Sequence, residues 1–152
     1  MIKNIEQTIR QYLPQVIHMS LATCRDNKPW VCEVHFVYDE QLNMYFRSRL
    51  STRHSKEIAD NPRVAGNMVV QHQVEDRPRA VYFEGTAELL ENVNQEDIAY
   101  TLYCDRFNTD ASILEEAQTE GGHKFYKISV ETFYLFDSRE TSSSRKYKLV
   151  WN

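Results

Sequence analysis

The sequence predicts a mainly β protein, in which an antiparallel sheet of six strands closes into a small barrel with flanking helices. Two observations predict this fold. Six segments have the alternating pattern or the short apolar runs that are typical of strands. Most of them follow one another across short polar turns, as antiparallel strands do. A barrel would remove the exposed edges of the sheet, and a chain of 152 residues suits one domain over residues 1–152.

The predicted elements alternate along the chain with clear boundaries. Strands are predicted over residues 16–23, 30–38, 42–48, 64–71, 80–90 and 124–136. Helices are predicted over residues 2–13, 52–60, 94–106 and 110–118. Pro14 ends the first helix, and Asn61-Pro62 ends the second, because the residue before a proline is pushed out of the helical region. Gly85 marks a bulge in the fifth strand, and residues 137–152 are predicted to form a polar tail.

The strand predicted over residues 30–38 has two different faces. Apolar side chains alternate along the face that is expected to point into the core: Trp30, Cys32, Val34, Phe36 and Tyr38. Polar and apolar side chains are mixed on the other face: Val31, Glu33, His35 and Val37. A mixed face of this kind suits a surface that a ligand or a second copy of the chain covers.

Composition excludes several functional classes. The net charge of −4 gives no support to a general nucleic-acid role. The three cysteines have no C-x-x-C spacing and the five histidines form no H-E-x-x-H motif, so neither a disulfide framework nor a metal site is predicted. The N-terminus lacks the apolar run of a signal peptide, and no segment has the length of a membrane span. A cytoplasmic protein is therefore expected.

The helix predicted over residues 52–60 begins with basic residues. Ser51 or Thr52 suits its N-cap. Its first turn and the preceding residues supply the cations Arg47, Arg49, Arg53, His54 and Lys56. The N-terminus of a helix carries a partial positive charge, so this placement suits a bound anion, and a solvated basic patch is the alternative. The four glycines cannot form a G-x-G-x-x-G turn or a P-loop, so a phosphate would depend on this helix start.

Several segments, in this order, resemble the FMN-binding split β-barrels related to pyridoxamine 5'-phosphate oxidase. The segments are Pro-Trp-Val-Cys-Glu-Val-His-Phe at 29–36, Leu-Asn-Met-Tyr-Phe-Arg-Ser at 42–48, the basic helix with its Asn-Pro end at 51–64, and Arg-Ala-Val-Tyr-Phe-Glu-Gly at 79–85. The similarity covers roughly residues 16–90, and the last strand also fits. The resemblance implies a six-stranded, Greek-key-like split barrel that forms a homodimer with FMN held at the dimer interface.

The resemblance also implies roles for individual residues. Arg53 occupies the position of an arginine on the flavin phosphate, and His54 that of a lysine whose charge Lys56 would replace. Arg47 and Ser48 would contact the ribityl chain and phosphate, and Glu33, Val34 and His35 would run beneath the isoalloxazine ring. Cys32 and Ala80 replace a phosphate-binding arginine and a ring-contacting glutamine. The candidate cofactor-binding residues are Cys32, Glu33, Val34, His35, Arg47, Ser48, Ser51, Thr52, Arg53, His54, Lys56 and Trp151.

The C-terminus departs from that of the vitamin B6 oxidases, which end in an Arg-Leu-x-Pro motif of their substrate site. This chain ends Tyr-Lys-Leu-Val-Trp-Asn, so the oxidation of pyridoxamine 5'-phosphate is not expected. Trp151 would either cover the flavin of a partner or pack on its own barrel.

Two classes of function are compatible with this sequence. The first is an FMN-dependent oxidoreductase whose substrate the sequence does not name, since a flavin carries the redox chemistry itself. The second is a flavin- or haem-binding protein for storage or sensing, because one fold hosts both kinds of function. An interaction domain with a decayed flavin site is a further alternative. No catalytic residue is predicted.

Overall fold

The computed structural model describes residues 4–70, 72–139 and 146–151. Within these ranges the four α-helices are α1 (Ile5–Tyr12), α2 (Arg53–Asp60), α3 (Ile98–Phe107) and α4 (Ser112–Gln118). The eight strands of the same ranges are β1 (His18–Arg25), β2 (Lys28–His35), β3 (Val37–Tyr38), β4 (Met44–Arg49), β5 (Arg63–Met68), β6 (Arg79–Leu90), β7 (His123–Asp137) and β8 (Lys146–Val150).

The strands of the described ranges form one antiparallel sheet in the order β2-β1-β5-β6-β7-β4-β3, and β8 pairs with β7. All of β6 pairs with residues 125–137 of β7, whereas the first part of β7 also pairs with β4 and its later part with β8. The curled sheet encloses a core that includes Phe36, Phe46 and Phe133, all fully buried. The predicted mainly β fold with an antiparallel sheet is confirmed.

The hairpin between β1 and β2 is tighter than predicted. Asp26 and Asn27 have φ values of 53° and 58°, which are the left-handed values that a two-residue type I′ turn requires. The strands therefore pair up to Arg25 and Lys28, beyond the ends predicted at residues 23 and 30.

The strand predicted over residues 30–38 divides at Phe36. Phe36 and Val37 are 0% and 2% exposed, although neighbouring side chains of a regular strand point to opposite faces. Phe36 packs in the barrel core, whereas Val37 packs in a second cluster under α3 and α4. Burial on both sides breaks the strand into β2 and β3. Trp30 was predicted to face the core but is 40% exposed.

The bulge predicted at Gly85 is confirmed, because the register between β6 and β7 shifts between Glu84 and Gly85. A Cβ atom at Gly85 would lie 2.2 Å from the carbonyl oxygen of Ser129, so only glycine fits there.

β8 lies in the segment that was predicted to be a polar tail. Its five residues pair with residues 132–136 of β7 and place Tyr147 and Leu149 against the barrel core. The charged residues Lys146 and Lys148 alternate with them, so the segment looked polar although one of its faces is apolar. β8 and the division at Phe36 explain why the described residues hold eight strands instead of six.

The helices begin and end at local signals. Asn4 caps α1 by accepting the backbone N–H of Gln7 at 2.9 Å, and Pro14 lies in a 3₁₀ turn directly after the helix. α2 extends over residues 53–60, close to the predicted range of 52–60. Among residues 4–70, 72–139 and 146–151, every helix is too short or too polar to cross a membrane.

Candidate functional site

The start of α2 forms a corner with the end of β4. Thr52 is the N-cap, and its Oγ1 accepts the backbone N–H of Ser55 at 3.3 Å. The first turn contains no acidic residue. The first backbone N–H groups of a helix have no partner inside the helix, so this corner combines free donors with basic side chains.

A cleft of about 440 Å³ lies at this corner. Seven of the candidate residues line it: Glu33, Val34 and His35 from β2, Arg47 and Ser48 from β4, and Thr52 and His54 from the start of α2. Arg49, which the sequence analysis placed in the basic cluster, also lines the cleft. Tyr103 and His123 line it as well and were not predicted. Residues that are far apart in the sequence are thus brought together where the resemblance predicts a cofactor.

His54 is a buried, neutral member of the cleft wall. It is 8% exposed, and burial lowers its pKa below the usual 6.5. Its Nδ1 lies 3.2 Å from Sγ of Cys32, and its Nε2 lies 2.6 Å from Oγ of Ser48. Burial raises the pKa of the Cys32 thiol to about 11. The protonated thiol therefore donates to Nδ1, Nε2–H donates to Ser48, and neither residue adds a charge.

Arg53 lies beside this neutral pair and is held from two sides. Its guanidinium carbon is 4.5 Å from the centre of the Trp30 ring, and its Nε donates to Oε1 of Glu57 at 2.9 Å. The side chain of Glu57 is only 3% exposed. Its second oxygen accepts the hydroxyl of Thr23. The hydrogen bond from Thr23 and the cation of Arg53 hold the pKa of Glu57 below its usual 4.5.

Arg47 lines the cleft, but its charge is engaged by the protein. Its guanidinium forms an ion pair with Glu116 and donates to the carbonyl oxygens of Ile113 and His123. It also lies 5.1 Å from the centre of the Phe125 ring. Its Nε is buried and makes no hydrogen bond to the described residues. Arg47 therefore joins β4 to α4 through one terminal amino group, and its charge is neutralised by Glu116.

Tyr103 of α3 connects the two sides of the cleft. Its hydroxyl donates to the carbonyl oxygen of His35 at 3.1 Å and accepts the backbone N–H of Arg47 at 3.2 Å. Burial raises its pKa to about 12. The sequence offered no signal for this role, because a tyrosine on a helix most often packs in a core and only the docking of α3 brings it here.

The other candidate residues lie around the cleft or away from it. Ser51 and Lys56 are exposed near the start of α2. Trp151 packs on its own barrel, where its Nε1–H donates to the carbonyl oxygen of Gln41 at 2.7 Å and its ring meets Phe133 edge-on. Of the two alternatives for Trp151, the chain shows packing on its own barrel, and Trp151 does not line the cleft.

A family model described as pyridoxamine 5'-phosphate oxidase matches residues 5–137 of the chain. The chain belongs to the pyridoxamine 5'-phosphate oxidase family. The resemblance seen in the sequence is thereby confirmed. Sequence comparison also finds a relative, a UPF0306 protein of Photorhabdus laumondii. The two proteins are 26% identical over 108 residues, which cover 70% of this chain and 75% of that protein.

Solved structures show that this member of the pyridoxamine 5'-phosphate oxidase family shares its fold with proteins of different names. A conserved hypothetical protein of Mycobacterium tuberculosis is 18% identical, with a TM-score of 0.72 over 93% of this chain and 90% of that one. The haem storage protein HutZ of Vibrio cholerae is 16% identical, with a TM-score of 0.64 over 84% of this chain and 91% of that one. At these identities the similarity establishes the fold alone.

Proposed function

We propose that this chain binds FMN in the cleft, with the phosphate at the start of α2. The observation that carries the proposal is the corner at Thr52, where free helix N–H groups and the hydroxyl of Ser48 meet a first turn with cations and no acid. A phosphate monoester carries close to two negative charges at neutral pH and accepts several hydrogen bonds. The donors of this corner match such a group.

Different residues would contact different parts of FMN, the phosphate and the isoalloxazine ring. Ser48 and Thr52 line the cleft and would hold the phosphate. The fork of Arg53 would join them, since Arg53 directly follows Thr52 and is exposed, although it is not among the lining residues, and exposed Lys56 would add long-range attraction. The β2 segment Glu33–His35 would lie along the isoalloxazine ring, where its backbone groups border the cleft. Arg47 and Tyr103 keep β2 and β4 at a fixed separation. The donor set therefore fits the cofactor.

When bound, FMN would supply hydride- and electron-transfer chemistry, which the side chains of this cleft do not provide themselves. The protein would bind and orient the cofactor. The proposed activity is that of an FMN-dependent oxidoreductase.

We also propose that the chain forms a homodimer with FMN at the interface. Support comes from apolar side chains that are exposed on and near β2: Ile17 at 58%, Trp30 at 40% and Val31 at 59%. They border the cleft-lining residues Glu33 and His35, so a second copy that covers them would also close the cleft. Sedimentation at micromolar concentration is expected to give twice the chain mass of 18.0 kDa, and a species of 18.0 kDa would contradict the dimer.

Haem binding without turnover is the second candidate. The structural similarity to HutZ, which is named for haem storage, supports it at the level of the fold. His35 adds an exposed imidazole at the cleft wall, stacked on Phe107 with ring centres 5.1 Å apart. Imidazole is a common axial ligand of haem iron.

Titration of the purified protein tests these candidates. FMN is expected to saturate one site per chain at micromolar concentration and to bind more tightly than riboflavin, which lacks the phosphate. Arg53→Ala should weaken FMN binding, whereas Arg63→Ala, which removes an exposed arginine paired with Glu131, should not. Saturable FMN binding supports the oxidoreductase if a nicotinamide donor, added without oxygen, removes the absorbance of the bound oxidised flavin. Absence of FMN binding contradicts the proposal. In that case, a Soret band that develops with added haemin favours the second candidate.

A further inference from the structure

We infer that Glu57 is the positioning residue that aims Arg53 at the phosphate, and that it thereby sets the preference of this chain for FMN over riboflavin. The inference rests on the proposed function. It assigns a role to a buried acid that neither lines the cleft nor was predicted as a site residue.

Glu57 is buried and both of its carboxylate oxygens are used. Oε1 accepts from Nε of Arg53 at 2.9 Å, and Oε2 accepts from the hydroxyl of Thr23, which is itself 3% exposed. A carboxylate without access to water needs a counter-charge and hydrogen bonds. Thr23 on β1 fixes where the carboxylate points, so the position of Glu57 is set by the barrel and not by the helix alone.

Arg53 is consequently fixed in two directions. Glu57 holds its Nε, and the Trp30 ring supports the flat face of the guanidinium at 4.5 Å. Its terminal amino groups have no partner within residues 4–70, 72–139 and 146–151, and its side chain is 46% exposed. A guanidinium that is held in this way offers a planar pair of donors, and such a pair matches the oxygens of a phosphate.

The neighbouring basic residues do not supply this fixed charge. His54 is neutral and hydrogen-bonded to Cys32 and Ser48. Arg47 is engaged by Glu116. Lys56 is exposed on a flexible stem, which gives a point charge without a fixed direction. Arg49 lines the cleft, but its exposed side chain is held by no partner among the described residues, so it also lacks a fixed direction. Discrimination between FMN and riboflavin therefore depends on Arg53, the cation that is held in place, and on the acid that orients it.

The chain contains a matched control for this arrangement. Arg10 of α1 also donates from Nε to the carboxylate of the glutamate four residues away, Glu6, at 2.9 Å, and it also lies over a tryptophan, Trp151, at 5.6 Å. Neither Arg10 nor Trp151 lines the cleft. Glu6→Gln removes the same ion pair as Glu57→Gln but leaves the phosphate corner untouched.

The first experiment compares FMN and riboflavin affinities of wild type, Glu57→Gln and Glu6→Gln by quenching of flavin fluorescence. Glu57→Gln is expected to raise the Kd of FMN about tenfold, the size of one charge-assisted hydrogen bond, and to leave the Kd of riboflavin unchanged. Glu6→Gln should change neither value. Thr23→Val, which removes only the hydroxyl that holds the carboxylate, should give a smaller loss in the same direction. An unchanged ratio of the two affinities in folded Glu57→Gln protein overturns the inference.

A second readout needs no flavin, and it separates failure of the inference from failure of the proposed function. The chain has two tryptophans, so Trp151→Phe leaves Trp30 as the sole emitter. In that background Glu57→Gln should shift the emission of Trp30, because Arg53 is released from the ring, and Glu6→Gln should not. Unchanged emission overturns the inference even if FMN binds. If the emission shifts but the protein binds no flavin, the contact between Glu57 and Arg53 is supported. The proposed function, and the selectivity for FMN inferred from it, are then overturned.

Discussion

Two arginine–glutamate–tryptophan arrangements occur in the described part of this chain. Arg53 meets Glu57 and Trp30 beside the cleft, and Arg10 meets Glu6 and Trp151 where α1 packs near β8. The Nε–Oε1 distance is 2.9 Å in both, and both pairs lie four residues apart on a helix. They differ in the acid, because the side chain of Glu6 is 42% exposed and that of Glu57 is 3% exposed.

The difference shows that one local pattern acquires two roles from its surroundings. An exposed ion pair on a helix contributes little, since water screens both charges and the side chains lose freedom. A buried carboxylate depends on its partner, because water no longer stabilises its charge. Arg10 is therefore a surface residue that can be exchanged, whereas Arg53 neutralises Glu57 and, under the proposed function, would also bind the phosphate.

The largest expected difference between the two regions concerns stability. Arg53→Ala leaves Glu57 buried with only Thr23 as a partner, whereas Arg10→Ala leaves Glu6 in water. We expect Arg53→Ala to lower the melting temperature by at least about 5 °C more than Arg10→Ala does. Differential scanning calorimetry at neutral pH measures this, and equal shifts would show that burial of Glu57 is not what distinguishes the two regions.

The next difference is a dependence on pH that only the cleft region should show. Burial lowers the pKa of His54, so between its folded and unfolded pKa values the unfolded chain binds more protons. The stability contributed by neutral His54 is present above the unfolded value of about 6.5 and is lost as the pH falls towards the folded value. Chemical unfolding between pH 8 and pH 5 should therefore show a shallower decline for His54→Gln than for wild type.

His72→Gln is the control for this pH series, since His72 is exposed on a loop. It should reproduce the wild-type slope. A slope that is identical in His54→Gln and wild type would contradict the assignment of His54 as a buried neutral residue.

The smallest expected effects concern the two tryptophans: substitution of Trp151 should change stability, and substitution of Trp30 should change FMN affinity. Trp151→Phe loses the hydrogen bond to the carbonyl oxygen of Gln41 and should cost about 1 kcal/mol of unfolding free energy, with no change in FMN affinity. Trp30→Leu removes the support of the Arg53 guanidinium and should weaken FMN binding a few-fold, with little effect on stability. Denaturant titration and flavin quenching on both variants test this, and a Trp151 variant that loses FMN would reverse the assignment.

Part of the fold and of the site could be predicted because its causes are local. Asn61-Pro62 ends α2 and Thr52 caps it, and both signals depend on residues within a few positions. The bulge at Gly85 could be predicted from the glycine itself, although the close neighbour that requires glycine is Ser129 of a distant strand. The division of a strand at Phe36 and the pairing of β8 could not be predicted, because they depend on which surfaces lie on either side of the chain.

The sequence by itself determined where the cations stand. Arg53, His54 and Lys56 occupy the first turn of a capped helix, and that pattern indicated an anion site without any tertiary contact. Only the tertiary structure decided which of them carries a fixed charge. Cys32 lies 22 positions from His54, and Thr23 lies 34 positions from Glu57. Burial keeps the imidazole of His54 neutral, because a buried charge loses the water that stabilises it. The carboxylate of Glu57 stays charged despite its burial, because the hydrogen bond from Thr23 and the cation of Arg53 replace that water.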